Sequence, residues 1–463
     1  METTEASSFL STSYEFQKIT GLEHGIAFNR PFEPFTIPLV LLHEAFAIFK
    51  DSCKKVPSEQ ALMCLSKLAP VACKWHSLEL DRRTAIQSIL AQHMNLQFQE
   101  GKIPGTDLMT HGNLAIRVMP AGIRACQNEH GNVLNQAILS YANFLIKAHE
   151  DPRHLYNFNT RFPSILMVDM GVSTHLLSIY WFKVYAGPYL GFYGAVWDGK
   201  HVRVEPLTPL FDLSTHWREA NERFAIAASL DALVLAVNNI EAHYKSIEAE
   251  ANVNFPPKRY DRDLQKARGY PFLSSYEDNG QEMSFMYNER LHKEKLVFSA
   301  AIVNKPDSDE FVVKFTPWYS EDAHNCLASH NLAPRLRRCG QISADWTVVI
   351  MDISKYPVLF GLELSDVDKE RVRHKVMDAA RRLHQEGFVH GDIREANVLI
   401  DVESLTSNDL KIHLIDFDWA GPIGEAKYPA DVNKIAVRRP DGVKGGGLIT
   451  EQHDIEIASF LFA

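Results

Sequence analysis

The strongest constraint on this chain is one short loop together with the two strand-forming runs after it. The loop reads His390-Gly-Asp-Ile-Arg-Glu-Ala-Asn397, and the runs are Asn397-Val-Leu-Ile400 and Lys411-Ile-His-Leu-Ile415. The second run ends in Asp416-Phe-Asp418. Short aliphatic runs separated by polar, turn-forming residues predict a strand pair. Pairing brings Asp392, Asn397 and Asp416 to one edge of one hairpin. A turn needs one such polar residue, whereas three together point to chemistry.

The segment upstream predicts the rest of a mixed domain. Strands are expected at Ser284–Tyr287, Leu296–Val303, Phe311–Phe315 and Asp345–Met351, with a turn at 305–309 and a helix from Ser320 to His330. A second helix is well signalled. Ser365 is its N-cap with Asp368 three residues on, Val372, Val376, Ala379, Ala380 and Leu383 form its apolar face, and Gly387 stops it.

Phosphoryl transfer needs positioning and charge neutralisation more than covalent help. Asn397 and Asp416 carry the hard oxygen donors that suit Mg²⁺. Asp392 can orient or deprotonate an acceptor hydroxyl. Lys314, within Val312-Val-Lys-Phe315, can reach the α- and β-phosphates, and either Glu321 or Asp322 can hold it by an ion pair. Set against this, Lys314 could also be a snorkelling strand lysine, and the acids could simply favour a helix N-terminus. His390 reads as a packing residue rather than a titrating one.

In these residues the chain resembles the protein-kinase-like superfamily, whose loop reads H-R-D-x-x-x-x-N followed by D-F-G. Residues 282–463 resemble the fungal-type protein kinase domains more closely. Val313-Lys-Phe315, Ala333-Pro-Arg-Leu336, His390-Gly-Asp392, Asp416-Phe-Asp418 and His453-Asp454 stand in their order. The resemblance implies an α+β, two-lobed kinase domain, with a small β-rich lobe and a helical lobe that stops soon after the catalytic core. It implies ATP and Mg²⁺, catalytic Asp392, Asn397 and Asp416, and metal ligands Asn397 and Asp416. Nucleotide-binding Lys314, Glu321 and Asp352 are assigned with them, and Asp454 is expected to brace the loop. The implied activity is a Ser/Thr-type protein kinase with a protein substrate or partner.

The departures from the family are specific. No G-x-G-x-x-G occurs; Asn288-Glu-Arg-Leu-His-Lys-Glu-Lys295 stands in its place. Without glycine a phosphate lid cannot bring its backbone as close. Gly391 replaces the usual arginine, Arg394 stands where many Ser/Thr kinases carry lysine, Asp418 replaces the D-F-G glycine, and Tyr428-Pro429 occupies the A-P-E region. Two alternatives therefore stay open. H-G-D with I-D-F-D is also the spelling of aminoglycoside- and choline-kinase-like small-molecule phosphotransferases. The absent glycine loop motivates a pseudokinase, a nucleotide- or partner-binding module.

The preceding residues suggest other domains. The chain has 463 residues, 46% hydrophobic and 23% charged, enough for two or three domains. Residues 1–150 read as mostly helical, with helices at Leu39–Phe49, Gln60–Lys74, Asp81–Gln97 and Asn132–Ala148. Residues 151–253 read as a small α/β unit with strands at Ser164–Asp169, Tyr189–Trp197 and His201–Glu205, then a long helix from Trp217 to Ser246. The stretch from Gly171 to Lys183 fits no element and is expected as a surface insertion. Residues 254–281 have a linker's composition.

Asp169, Asp198, Lys200 and Glu205 invite a nuclease reading, against which Asp198-Gly199 is an ordinary hairpin turn. Trp181, Trp197 and Trp217 are expected in the core. A net charge of −10 gives no broad attraction to nucleic acid or anionic membrane. Scattered cysteines without a C-x-x-C pair, no secretory leader and no expected membrane span point to a cytoplasmic or nuclear protein.

Overall fold

The computed structural model describes residues 26–28, 36–74, 76, 79–96, 121–126, 138, 141–142, 145, 160–170, 173–176, 183–186, 188–198, 201–253, 267–278, 280–303 and 310–462. The chain forms two compact units, Met1–Leu273 and Ser274–Ala463.

The first unit is a six-stranded sheet with helices. Its strands are β1 (Ile26–Phe28), β2 (Ala121–Cys126), β3 (Ser164–Met170), β6 (Tyr189–Trp197), β7 (Val202–Pro206) and β8 (Phe211–Asp212). The order is β1-β7-β6-β3-β2, with β8 on β6. β1 and β2 come from the region expected to be helical, and they pair in parallel with β7 and β3. The expected division at residue 150 therefore cuts through one sheet. Gly171–Lys183, read as an insertion, includes β4 (Ser173–Leu176), which pairs with β5 (Lys183–Ala186) as a separate hairpin.

Helices of this unit are α1 (Leu39–Leu42), α2 (Glu44–Ser52), α3 (Glu59–Cys73), α4 (Glu79–Met94) and α5 (Ala220–Val253). The single helix expected over Leu39–Phe49 breaks at His43. That residue is extended (φ −152°, ψ 134°), and its Nδ1 caps the Ala45 N–H at 3.1 Å. Of the helix expected at Asn132–Ala148, Ile138, Tyr141, Ala142 and Leu145 are helical and buried; the rest lies outside the described residues. Ala220–Ile247 within α5 is long and apolar enough to cross a membrane, and it buries Ile226, Leu230, Leu233, Ala236 and Ile240.

Asp198 and Glu205 are both neutralised by Arg203, at 3.7 and 2.9 Å, and Glu205 also accepts the Leu39 N–H. That is a structural use of two of the nuclease candidates; the side chain of Asp169 and all of Lys200 lie outside the described residues. Trp197 is buried as expected, whereas Trp217 is 69% exposed, and Trp181 is not described.

The end of the expected linker is not a linker. Arg161 donates to the carbonyls of Ala267, Arg268 and Tyr270, and Phe272 N–H donates to Leu41 O, all within the first unit. Residues 254–266 lie outside the described residues.

The second unit opens with β9 (Ser275–Asp278), a strand inside the range read as linker. It joins β10 (Gln281–Arg290), β11 (Leu296–Ile302), β12 (Phe311–Thr316), β13 (Leu336–Ile342) and β14 (Trp346–Asp352) in the order β13-β14-β12-β11-β10-β9. All neighbours are antiparallel. The turn expected at 305–309 lies outside the described residues. Helix α6 (Glu321–Ser329) follows β12, with Ser320 capping the Ala323 N–H.

Helix α7 (Asp366–Gln385) starts at Ser365, as its capping signal predicts, and ends before Gly387 at φ +85°. Its buried stripe is the expected one: Val372, Val376, Ala379, Ala380 and Leu383. Next come β15 (Phe388–Val389), β16 (Val398–Ile400), β17 (Ile412–Leu414), β18 (Gly421–Pro422) and α8 (Glu451–Ser459). β16 and β17 pair antiparallel as the hairpin read from the sequence. One apolar core joins α6, α7, α8, the hairpin and Val349 and Met351 of β14. It fixes the hairpin edge against the sheet that carries Lys314.

Candidate active site

Two carboxylate groups stand at the edge of the β16–β17 hairpin. The first centres on the loop before β16. Asp454, on α8 and fully buried, accepts the N–H groups of His390 and Gly391, each at 2.7 Å, and faces His384 Nε2 at 3.1 Å. Two charge-assisted bonds to consecutive amides fix the loop backbone. Gly391 lies at φ +80°, in the left-handed region. A Cβ there would meet Ile449 Cδ1 at 2.6 Å. The residue that replaces the family arginine is thus required by backbone and space.

Asp392 is next in the loop, 4% exposed. Its Oδ2 accepts from Asn397 Nδ2 at 2.8 Å and Arg394 Nε at 3.1 Å, and its Oδ1 accepts from Arg439 Nη2 at 2.6 Å. Asn397 Nδ2 also donates to Asp392 O at 2.9 Å. This double bond turns the Asn397 amide so that its nitrogen faces the loop. His390 packs at 5.0 Å on Phe417, and its Nδ1 accepts the Asp392 N–H at 3.3 Å, the packing role read for it.

The second group lies beyond β17. Lys314 Nζ stands 2.5 Å from Asp416 Oδ1 and 2.6 Å from Asp418 Oδ1, with its side chain 6% exposed. Lys295 pairs with the other oxygen, Asp416 Oδ2. Asp416 adopts φ +72°, a left-handed backbone that a non-glycine residue rarely takes, and such outliers concentrate at functional sites. Phe417 anchors the turn by stacking on His324 at 4.7 Å. Burial holds His324 down to about 4. Neutral, it donates from Nε2 to Pro334 O at 2.7 Å and receives Tyr319 OH on Nδ1 at 2.7 Å.

Electrostatics separate the two aspartates of this turn. Burial pushes Asp416 up, but Lys314 and Lys295 outweigh it and hold the carboxyl far below its ordinary range. Asp418 is pushed up to about 7, by burial first and then by the Asp416 charge. Burial pulls the Lys314 ammonium down, and the two carboxylates more than offset it.

The structure brings together Lys314 with Asp416, and Asp392 with Asn397; the Asn397 carbonyl accepts the Ile415 N–H at 3.0 Å and so ties the two groups. It does not bring in Glu321 or Asp352. Glu321 and Asp322 are exposed in the first turn of α6, and the ion partners of Lys314 are Asp416 and Asp418 instead. Asp352 is in register with Phe311, on the face of the sheet opposite Lys314, and pairs with Arg337. Alternation along a strand puts residues of odd and even offset on opposite faces, which excludes Asp352 from the lysine's side. Lys295 and Arg439 were not picked out from sequence. The repeated lysines of the glycine-free turn were a faint signal for the first; nothing local marks the second, 47 residues from its partner.

Among the described residues no cluster of three or more His, Cys, Asp or Glu side chains could hold a metal ion. The donors on offer are Asp416, Asp418 and the Asn397 amide oxygen. That set suits Mg²⁺, which takes one or two carboxylates and completes its shell with phosphate oxygens and water. Asp418 Oδ1, buried and without an aligned hydrogen bond, has the Lys314 ammonium at 2.6 Å and could turn to such an ion.

Residues 360–432 match the family model described as the Lipopolysaccharide kinase (Kdo/WaaP) family. The span holds Asp392, Asn397, Asp416 and Asp418, and its likeness is to the protein-kinase-like superfamily. The matched family bears a different description from the fungal-type kinases. No curated protein sequence matches the chain.

Among solved structures, the Cydia pomonella granulovirus kinase PK-1 is similar at 17% identity and a TM-score of 0.27, over 32% of this chain and 55% of that one. Vaccinia related kinase 3 is similar at 14% identity and a TM-score of 0.29, over 40% of this chain and 64% of that one. The chain thus spans between half and two thirds of the length of each.

Proposed function

We propose that the second unit is an ATP- and Mg²⁺-dependent phosphotransferase that delivers the γ-phosphoryl group to the hydroxyl of a protein serine or threonine. The observation that carries this reading is the meeting of Lys314 with Asp416 and Asp418 next to the joined pair Asp392 and Asn397. Kinase-like phosphotransfer agrees with the family match over 360–432. The Ser/Thr acceptor rests on the fungal-type resemblance.

Asp416 and Asn397 would hold the ion, with Asp418 in reach of the same place. Mg²⁺ held there would neutralise phosphate charge. Lys314 is fixed on a central strand and supplies a permanent cation for the non-transferred phosphates. A carboxylate offers about four lone-pair sites, and three donors already occupy Asp392, which leaves one for an acceptor O–H. Asp392 accepts that proton as the acceptor oxygen bonds to phosphorus and the leaving nucleotide oxygen departs. The Asp454 bridge keeps Asp392 in place without taking part.

The reading is tested with the full chain. Asp416→Ala should lower metal-dependent ATP turnover by about a hundredfold or more. Full activity in that variant would remove the assigned metal site. A second reading, transfer to a small-molecule hydroxyl, is favoured by the match to a lipopolysaccharide kinase family. An acceptor screen separates the two: labelling of protein but not of sugars or amino alcohols supports the first, and the reverse supports the second.

A further inference from the structure

The turn between β10 and β11 occupies the place of a phosphate-binding glycine loop, yet residues 288–295 contain no glycine. Its shape comes from side chains. His292 Nδ1 accepts the N–H groups of Glu294 at 3.0 Å and Lys295 at 3.1 Å. Arg290 Nε donates to the carbonyls of His292 at 2.9 Å and Lys295 at 3.2 Å. Leu291 N–H closes the turn on Val297 O at 2.8 Å. Such a turn spends its amides on its own staple, so they are not free to cradle an anion. Of its two lysines, Lys293 and Lys295, it directs the second to the site, paired to Asp416 Oδ2.

The two lysines on Asp416 differ in kind. Lys314 is 6% exposed and held by two carboxylates; Lys295 is 34% exposed and, among the described residues, has one ion partner, Asp416. The more exposed Lys295 can leave this buried carboxylate only when another cation matches the Asp416 charge. Once the oxygens of Asp416 face a divalent ion, the Lys295 ammonium needs another anion. A polyphosphate chain is the one that the proposed reaction brings to this place.

We propose that Lys295 is a nucleotide-phosphate ligand that takes over the task of the missing glycine loop, with His292 and Arg290 as the residues that position it. The inference rests on the function proposed above. It replaces backbone amides by a point charge on a stapled turn, which needs no close approach of the backbone.

The test is calorimetric binding to the full chain in the presence of Mg²⁺, with ATP and adenosine as probes. Lys295→Ala should weaken ATP binding roughly tenfold or more, as for loss of one charge-assisted bond, and leave adenosine binding unchanged. Lys295→Arg should restore most of the ATP affinity, and His292→Ala should shift it in the same direction as Lys295→Ala but by less. Unchanged melting of the nucleotide-free variants checks that the fold persists. ATP binding equal to or tighter than wild type in Lys295→Ala would overturn the inference and make the lysine a plug of the site. No ATP binding by the wild-type chain would overturn the proposed function itself, and this assignment with it.

Discussion

The two carboxylate groups of the second unit sit on the same hairpin edge and are built on opposite principles. Around Asp454 and Asp392 every carboxylate oxygen has a donor; two of the donors are backbone amides and two are guanidinium groups. Around Asp416 and Asp418 two buried acids share a lysine, and one oxygen has no aligned donor among the described residues. In the first group the Asp454 bridge is complete and acts as architecture, and it leaves Asp392 one free acceptor position. The second is a charge set whose balance changes when a cation and an anion arrive. Buried charges left unmatched are costly, so a protein keeps them where a ligand will match them.

Substitutions should separate the two groups. The largest expected effect is on the complete group. Asp454→Ala orphans two buried amides and should lower the unfolding free energy by about 4 kcal/mol in denaturant titration. A change under about 1 kcal/mol would show that the loop does not depend on this bridge.

Next in size is Arg439→Ala. It uncovers Asp392 Oδ1 and empties a side chain that packs over Trp419 at 5.0 Å. The guanidinium already has a buried Nε without a partner, so its net worth is below that of the Asp454 bridge. A loss of about 2 kcal/mol is expected in the same titration. A loss equal to that of Asp454→Ala would merge the two residues into one unit.

The incomplete group gives an effect that, within any one pH unit, is the smallest of the three and is read as a slope. The pKa of Asp418 is raised in the folded chain, to about 7, by burial and by Asp416. Its contribution to stability is full below the ordinary carboxylate range and is lost as pH rises through about 7. In metal-free protein, stability should therefore fall with pH between about 4 and 7, by up to about 1.4 kcal/mol per pH unit. Asp418→Asn should flatten that part of the profile. An unchanged slope would mean that Asp418 is ionised across the range and that the contrast between the groups is weaker than drawn.

The same division governs what could be read from sequence. The hairpin and the capped helix α7 follow from local signals, strand-forming runs and a Ser-x-x-Asp cap. The Asp454 brace and the placing of Lys314 near Asp416 are instead expectations from the family resemblance. In the first unit Tyr189–Trp197 is a strand at the bounds read from sequence. The errors fall where partners are distant or backbone geometry decides. β1 and β2 are short, and their pairing in one sheet with β7 and β3 depends on residues far along the chain. Asp352 was misplaced because the face of a strand is set by register, not by proximity in sequence.

By itself, the sequence determined the chemical inventory of the site. An aspartate, an asparagine and a second acidic turn at fixed spacing, with a lysine on an upstream strand, admit few uses, because spacing within a hairpin is local geometry. Only the tertiary structure decided the allocation of partners. It gave Lys314 to Asp416 and Asp418 rather than to Glu321, closed Asp392 with Arg439, and set Lys295 where glycines were missing. Ion pairs are chosen by distance and burial after the chain has packed, and no local pattern encodes which of several acids a buried lysine will meet.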